Sequence, residues 1–458
     1  MSAFSSLPLS AALHKSLGTL DFSELTPVQA ESLPSILAGR DMIVQAPTGS
    51  GKTVAFGLGL LHRLDPTLLR VQALVLCPTR ELSDQVAKVI RRLAVGMPNI
   101  KVSILTGGIA LAPQLASLRK DPHIVVGTPG RIEELLGKHV LSLAKVRTLV
   151  LDEADRMLDM GFEEPIRAIV RHAPPTRQSL LFSATYPESI RAMARAMLRD
   201  PLEVIVAAAV EQPAIEQRFF EVADAKAKPA ALAALLHEYR PESTVVFCNT
   251  RRDTSMVVDA LAGFGIDALA LHGDIEQRDR DEVLVRFANR SCNVLVASDL
   301  AARGLDIANL AAVVNYELPS DPDTYLHRIG RTGRAGSSGL ALSLCAPAET
   351  PRALRIESLH GIKMQWRKVA RGDAKSQAPL PAPMSTLRID GGRGDKLRPG
   401  DILGALTGDA GLPGNAIGKI DVFATRAYVA ISRTLADKAL RRLRAGKIKG
   451  RSFRVEAL

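Results

Sequence analysis

The sequence predicts an α/β protein: two similar parallel-sheet domains in tandem, followed by a small α+β domain of different character. Three observations carry this. Short β-branched apolar runs alternate with helix-length segments through the first 360 residues. Those runs fall into two sets of about five, which implies two domains of one kind. A proline-rich stretch then separates them from a short βαββαβ pattern dense in Lys and Arg. A length of 458 residues fits such a division, at about 150 residues per domain.

The first set of strands is expected at 42–45, 73–77, 124–126, 148–151 and 179–182. The second is expected at 244–248, 268–271, 294–297, 312–316 and 340–344. A short run with no polar face suits a strand covered by helices on both sides, as in a parallel sheet. The join between the sets falls near 207–213, where periodicity lapses after the helical run 188–198. Residues 374–384 read AKSQAPLPAPM, with three prolines and no aromatic, which marks a semi-rigid linker. Beyond it, strands are expected at 386–389, 417–422, 427–432 and 453–457, with helices at 399–406 and 435–443. That order matches the split βαβ, RRM-like topology. The expected domains are therefore 1–207, 214–364 and 385–458, with 365–384 as linker.

The net charge of +11 is unevenly spread. Residues 361–458 hold 20 Lys and Arg against 8 Asp and Glu, while residues 1–360 hold 39 against 40. Excess positive charge confined to the last fifth of a chain points to a polyanionic partner. A solvated basic tail is the competing reading, and the apolar runs interleaved with these charges argue against it. The four cysteines lie far apart, without zinc or disulfide spacing, which fits a reducing, cytoplasmic location. No signal peptide, membrane span or obligate protein partner is evident.

Immediately after the strand at 42–45 come Ala46, Pro47, Thr48, Gly49, Ser50, Gly51, Lys52 and Thr53, then a helical pattern. Glycines let such a loop turn its backbone N–H groups onto phosphate oxygens. Lys52 can reach the β- and γ-phosphates, and Thr53 can ligate Mg²⁺. A chance glycine-rich turn is the alternative, but a Lys-Thr pair opening a helix after a strand disfavours it. The strand at 148–151 ends in Asp152, Glu153, Ala154 and Asp155. There Asp152 can hold the Mg²⁺ hydration shell, and Glu153 can orient or deprotonate an attacking water.

Residues 152–155 spell DEAD, and the first 360 residues resemble the DEAD-box RNA helicases of superfamily 2, with the motifs in family order. The resemblance implies two RecA-like domains, ATP with Mg²⁺, and an RNA substrate. Phe22, Thr26, Pro27 and Gln29 resemble the Q motif, in which Gln29 would read the adenine edge; Asp21 stands where the family has glycine. Phe4 resembles the family's isolated upstream aromatic. Ser183, Ala184 and Thr185 resemble motif III, which couples hydrolysis to duplex opening. Residues 297–299 through 303–306, ending on Asp306 near the nucleotide, resemble motif V. His327 through Arg334 resemble motif VI, which implies that Arg331 and Arg334 are arginine fingers and places His327 beside them.

Several loops that follow strands resemble the family's RNA-gripping motifs. In the first domain these hold Arg80, Gly107, Gly108, Thr128, Pro129 and Arg131. In the second they hold Thr250, Gly273, Gln277, Arg280 and Ser298. Contacts to the sugar-phosphate backbone carry no base information, so this track suits RNA of any sequence. The tail's two central strands offer one aromatic, Tyr428, where an RRM stacks bases on several. Basic residues gather instead on and after its second helix: Arg441, Arg442, Lys447 and Lys449 are the expected RNA contacts. The segments 398–401, 406–409, 418–420 and 446–450 resemble the C-terminal domain of the DbpA subgroup. That resemblance implies 23S ribosomal RNA as substrate and a role in large-subunit assembly. An ATP-gated RNA clamp with little unwinding and a DNA helicase are the competing functions.

Overall fold

The computed structural model describes every residue except 1, 2, 21, 48, 207–214, 303–309, 334–338, 362, 370–379 and 410. Two compact units make up the chain, one over Met1–Glu211 and the other over Gln212–Arg303 and Ile307–Leu458. Thr48, Asp306, Arg334 and the expected domain join therefore lie outside the described residues.

The first unit is built on seven parallel strands: β1 (Met42–Gln45), β2 (Ala73–Leu76), β3 (Val102–Leu105), β4 (Ile124–Gly127), β5 (Thr148–Leu151), β6 (Gln178–Ser183) and β7 (Leu202–Ile205). Their spatial order is β3-β4-β2-β5-β6-β1-β7. Alternate residues of each strand feed opposite faces. Val44, Val75, Val126, Val150 and Phe182 join one core cluster, while Ile43, Leu74, Val125, Leu149 and Leu181 join the other. Helices cover both faces, so the central strands have no solvent side, while edge strand β7 alternates half-buried and exposed positions.

The second unit repeats the plan with β8 (Ile215–Glu221), β9 (Thr244–Cys248), β10 (Ala268–Leu271), β11 (Val294–Ser298), β12 (Ala312–Asn315), β13 (Gly339–Cys345) and β14 (Gln365–Lys368), in the order β10-β11-β9-β12-β13-β8-β14. Each large sheet thus has seven strands where apolar runs predict about five. The additional ones are β3, β7, β8 and β14. Three of them lie at sheet edges, and β14 is exposed along its whole length. Of the expected linker 365–384, residues 370–379 lie outside the described residues, and the first part is a strand of the second sheet. Gln365–Lys368 pairs in parallel with β8, and Trp366 packs on Phe219 at 5.6 Å between ring centroids.

The same unit ends in a four-stranded antiparallel sheet of β15 (Met384–Ile389), β16 (Ile417–Val422), β17 (Ala427–Ser432) and β18 (Val455–Ala457), in the order β16-β17-β15-β18. Helix Pro399–Gly404 follows β15 and helix Ala436–Ala445 follows β17, which is the expected βαββαβ succession. Leu387, Ile389, Val429 and Ile431 point to these helices and pack with Ile402, Ala439 and Leu443. No helix among the described residues is long and apolar enough to cross a membrane.

Candidate active site and nucleic-acid interface

Apart from Phe4, Phe22 and Gln29, which precede β1, the candidate groups of the first unit follow the carboxyl ends of strands, where open parallel sheets bind ligands. β6 lies between β1 and β5 and so carries Ser183–Thr185 between the phosphate loop and the DEAD segment. The backbone ties the three together. Ala46 N donates to Ser183 O at 3.0 Å, and Asp155 N donates to Ser183 Oγ at 3.3 Å. One oxygen of Asp155 accepts from Ala184 N at 3.2 Å and from both Thr185 N and Thr185 Oγ1 at 2.9 and 3.0 Å. Asp155 is therefore a clasp between the segment bearing Glu153 and motif III.

Around the phosphate loop, Gly51 has φ +97° and caps helix Lys52–His62 from a left-handed conformation. A Cβ there would meet Gln29 Nε2 at 2.5 Å, so only glycine fits. Gln29 is buried: its Oε1 accepts from Thr26 N at 2.9 Å, and its Nε2 donates to Gly51 O at 3.1 Å. One N–H and one lone pair of the amide remain for a purine edge. Phe22 is exposed and leans on buried Phe4 at 6.1 Å between ring centroids. Ser50 Oγ is buried without a hydrogen-bond partner. Lys52 is buried, with Nζ donating to Ala46 O at 2.6 Å. Burial pushes its ammonium pKa down, against the pull of Asp152, Glu153 and Asp155.

The carboxylates are crowded. Burial, followed by repulsion from Glu153, pushes the Asp152 carboxyl up to about 7, and Lys52 opposes the shift. Such a group gains from a cation. A carboxylate together with the Thr53 hydroxyl is the hard-oxygen, two-ligand set that suits Mg²⁺ shared with phosphates and water. Glu153 holds a left-handed backbone, φ 54° and ψ 53°, and pairs with buried Arg156 at 2.9 Å. A non-glycine residue in that region costs about 1 kcal/mol or more, and such strain gathers at functional sites.

The expected RNA track of the first unit is continuous. Arg80 opens helix Arg80–Leu93, and a Cβ on Gly108 would meet its guanidinium at 2.8 Å. Gly107 N donates to Thr128 Oγ1 at 3.3 Å. Pro129 and Arg131 begin the next helix, and Arg131 is nine-tenths buried. Its guanidinium donates to Ile109 O at 3.2 Å and pairs with Glu134 at 3.0 Å, so it braces the glycine loop from beneath.

In the second unit, Thr250 caps helix Arg251–Ala262, Gly273 is exposed, and Ser298 is buried at the end of β11. Arg280 Nη2 donates to Ala301 O at 2.6 Å. His327 is half-buried and Arg331 is buried at the end of helix Pro322–Ile329. Arg328, a member of the motif VI stretch to which the sequence assigns no role, stands between the two and is 2% exposed. It pairs with both oxygens of Asp299 at 2.6 and 2.7 Å. It also donates to Asn249 Oδ1 at 2.8 Å, Asn315 Oδ1 at 3.2 Å and Glu317 O at 2.6 Å, and lies over the Phe247 ring. One guanidinium thus joins the loops after β9, β11 and β12. A sequence signal existed: Pro322, Tyr325, Arg328 and Ile329 form one buried helical face, with an arginine at a core position.

In the tail, Arg441, Arg442, Lys447 and Lys449 are all exposed. Lys449 (φ 51°) and Gly450 (φ 77°) form a turn closed by the Ile448–Arg451 bridge, and Lys449 Nζ donates to Lys396 O at 2.9 Å. All four cysteines are buried and free.

Comparisons with known proteins agree with this architecture. Family models for the DEAD/DEAH box helicase, the helicase conserved C-terminal domain and the DbpA RNA binding domain match residues 26–193, 227–336 and 386–457. The ATP-dependent RNA helicase DbpA of Escherichia coli is 54% identical over 459 residues, covering 100% of both chains. The DEAD-box helicase CshA of Bacillus cereus is 43% identical over 82% of this chain and 70% of its own. Among solved structures, S. cerevisiae Dbp5 bound to RNA and ADP BeF3 matches with a TM-score of 0.73 and 30% identity, over 81% of this chain and 96% of that one. Mss116p bound to ssRNA and AMP-PNP matches equally well, with a TM-score of 0.73 and 27% identity over 82% of this chain and 83% of that one. With its two RecA-like sheets, its DEAD segment and its tail domain, the chain belongs to the DEAD-box family of ATP-dependent RNA helicases.

Proposed function

We propose that the chain is a cytoplasmic remodeller of 23S ribosomal RNA that acts during large-subunit assembly, with 1–207 and 214–364 as the ATP-driven core and the tail as the element that chooses the RNA. The observation that carries this reading is the tail's exposed basic cluster, Arg441, Arg442, Lys447 and Lys449, on a domain matched by the DbpA RNA binding model. In the core, Phe22 and Gln29 take the adenine, the loop 46–53 takes the phosphates, and Glu153 orients the attacking water. Mg²⁺ would be held by Thr53 and, through water, by Asp152, supplying charge neutralisation to the phosphates when bound. Arg331 and Arg334 steady the charge that develops on the transferred phosphoryl group, His327 stands four residues before Arg331 in the same stretch, Asp306 joins the nucleotide contacts, and Ser183–Thr185 pass the state of the site to the RNA loops. Residues Arg80, Gly107, Gly108, Thr128, Pro129, Arg131, Thr250, Gly273 and Ser298 form the sequence-blind track, with Arg131 acting as its brace. The test is ATPase stimulation by a hairpin from the peptidyl-transferase region of 23S RNA against a scrambled hairpin of equal length. Preference for the first supports the reading, and equal stimulation refutes it.

A further inference from the structure

Helix Ala154–Asp159 buries an arginine that none of the motifs accounts for. Ala154 and Met157 enter the apolar core of the first unit, yet Arg156 between them is only 4% exposed. Burying a guanidinium is costly unless a carboxylate and hydrogen bonds meet it. Here they do. Arg156 Nη1 donates to Glu153 Oε2 at 2.9 Å, and Arg156 N donates to Asp155 Oδ1 at 3.0 Å. The second oxygen of Asp155 is the one that accepts from Ala184 and Thr185. A bonded path therefore runs from motif III through Asp155 and Arg156 to Glu153.

Charge balance is the plainer role for such a residue. Asp152, Glu153 and Asp155 crowd together, and Arg156 lies close enough to Lys52 to repel it while offsetting the same carboxylates. The geometry supplies more than charge. Arg156 engages a single oxygen of Glu153, and among the described residues Glu153 Oε1 has no hydrogen-bond partner. Glu153 stands ahead of the helix at φ 54°, and its side chain makes no cap to hold it. The ion pair is thus what fixes the direction of this side chain. A carboxylate with one oxygen held and one free is the arrangement of an oriented base, in which a third group aims the group that meets the proton.

We propose that Arg156 is a positioning residue for ATP hydrolysis: it holds Glu153 Oε2 so that Oε1 is presented to the attacking water, and it ties that aim to motif III through Asp155. The proposal rests on Glu153 orienting the water, and deepens that reading by naming what aims it. No contact of Arg156 with nucleotide or RNA is needed. Its loss should therefore appear in turnover and not in binding.

Single-turnover hydrolysis by the full-length protein, with saturating ATP and saturating hairpin RNA (23S or scrambled), tests the role. Arg156→Met keeps an apolar stem of similar length and removes the donor. It should slow hydrolysis by about 10–100-fold, the scale of a misaimed reacting group. Half-saturation by ATP and by RNA should stay within about twofold of the parent. Arg156→Lys, which restores a charged donor, should recover most of the loss. In a Glu153→Gln background, Arg156→Met should add almost nothing, because a residue that acts through Glu153 is silent once the carboxylate is gone. Should Arg156→Met fail to fold, Arg156→Gln takes its place throughout with the same expectations. Hydrolysis by Arg156→Met within about threefold of the parent would overturn the proposal. So would an equal further loss in both backgrounds, which is what a purely structural arginine gives. Glu153→Gln alone separates the two readings. Full activity there overturns both, whereas its loss beside an active Arg156→Met overturns the positioning role and leaves Glu153 in place.

Discussion

Glu153 is held by three local facts: a left-handed backbone, the end of a buried strand, and a salt bridge to Arg156. Its neighbour Asp155 shares an oxygen among three donors of motif III. In Glu153→Gln the side-chain carbonyl can still accept from Arg156, so the shape of the site survives while the carboxylate is lost. ATP and RNA binding should remain, and hydrolysis should fall by about 10²–10⁴. Single-turnover hydrolysis within threefold of the parent would remove Glu153 from its role. Arg328 makes the opposite kind of prediction, because it touches no expected ligand. Arg328→Ala strips Asp299 of its partner and leaves three loops unjoined, which should cost about 3–5 kcal/mol in the second domain. Denaturant melting should show this loss with the first domain's transition unmoved. A third residue titrates. Burial, then the Arg240 charge, pushes the His237 ring below its usual 6.5. The unfolded chain therefore binds the proton more readily, so this stability is present above pH 6.5 and is lost as pH falls through the folded value. His237→Leu should flatten the drop in melting temperature between pH 7.5 and 5.5, and an unaltered slope would show that another group governs it.

At the scale of elements, what could be read from the sequence depended on burial. All ten expected strands of the two large sheets exist, because a strand covered on both faces must be an uninterrupted apolar run, as in TVVFC of β9. The four overlooked strands carry no such run. β7 alternates half-buried and exposed positions, β14 reads QWRK, and β8 carries Glu216, Gln217 and Arg218 ahead of its two phenylalanines. β3 is an edge strand of only four residues. Edge pairing depends on backbone hydrogen bonds that any sequence can make, so composition is silent about it. The site was legible for a related reason: phosphate loops need glycine at left-handed φ, and Gly49 and Gly51 supply it at φ +86° and +97°. Arg328 falls within the motif VI stretch, but its role was not legible there, since it depends on three loops brought together only by the fold. Residues 365–368, expected as linker, are mostly polar and yet pair with β8.

Across the whole molecule, chemistry and choice of substrate are assigned to different parts. Residues 1–207 hold the phosphate loop and the carboxylates but neither Arg331 nor Arg334. That fragment should bind nucleotide and show almost no RNA-stimulated turnover, since removing such an arginine costs about 10³–10⁵ in rate at comparable phosphoryl-transfer sites. Wild-type turnover by the fragment would refute the arginines' role. The core through residue 360 is nearly neutral, and the following 98 residues hold 20 Lys and Arg against 8 Asp and Glu. Encounter with RNA and its salt dependence should therefore belong to the tail. The most direct test is an RNA titration of ATPase by the full-length protein and by residues 1–384, each with the 23S hairpin and its scrambled control. The account predicts that truncation raises the hairpin concentration for half-maximal activity to that of the control, with turnover at saturating RNA little changed. A truncated protein that still prefers the hairpin would contradict it and place the choice of RNA in the core.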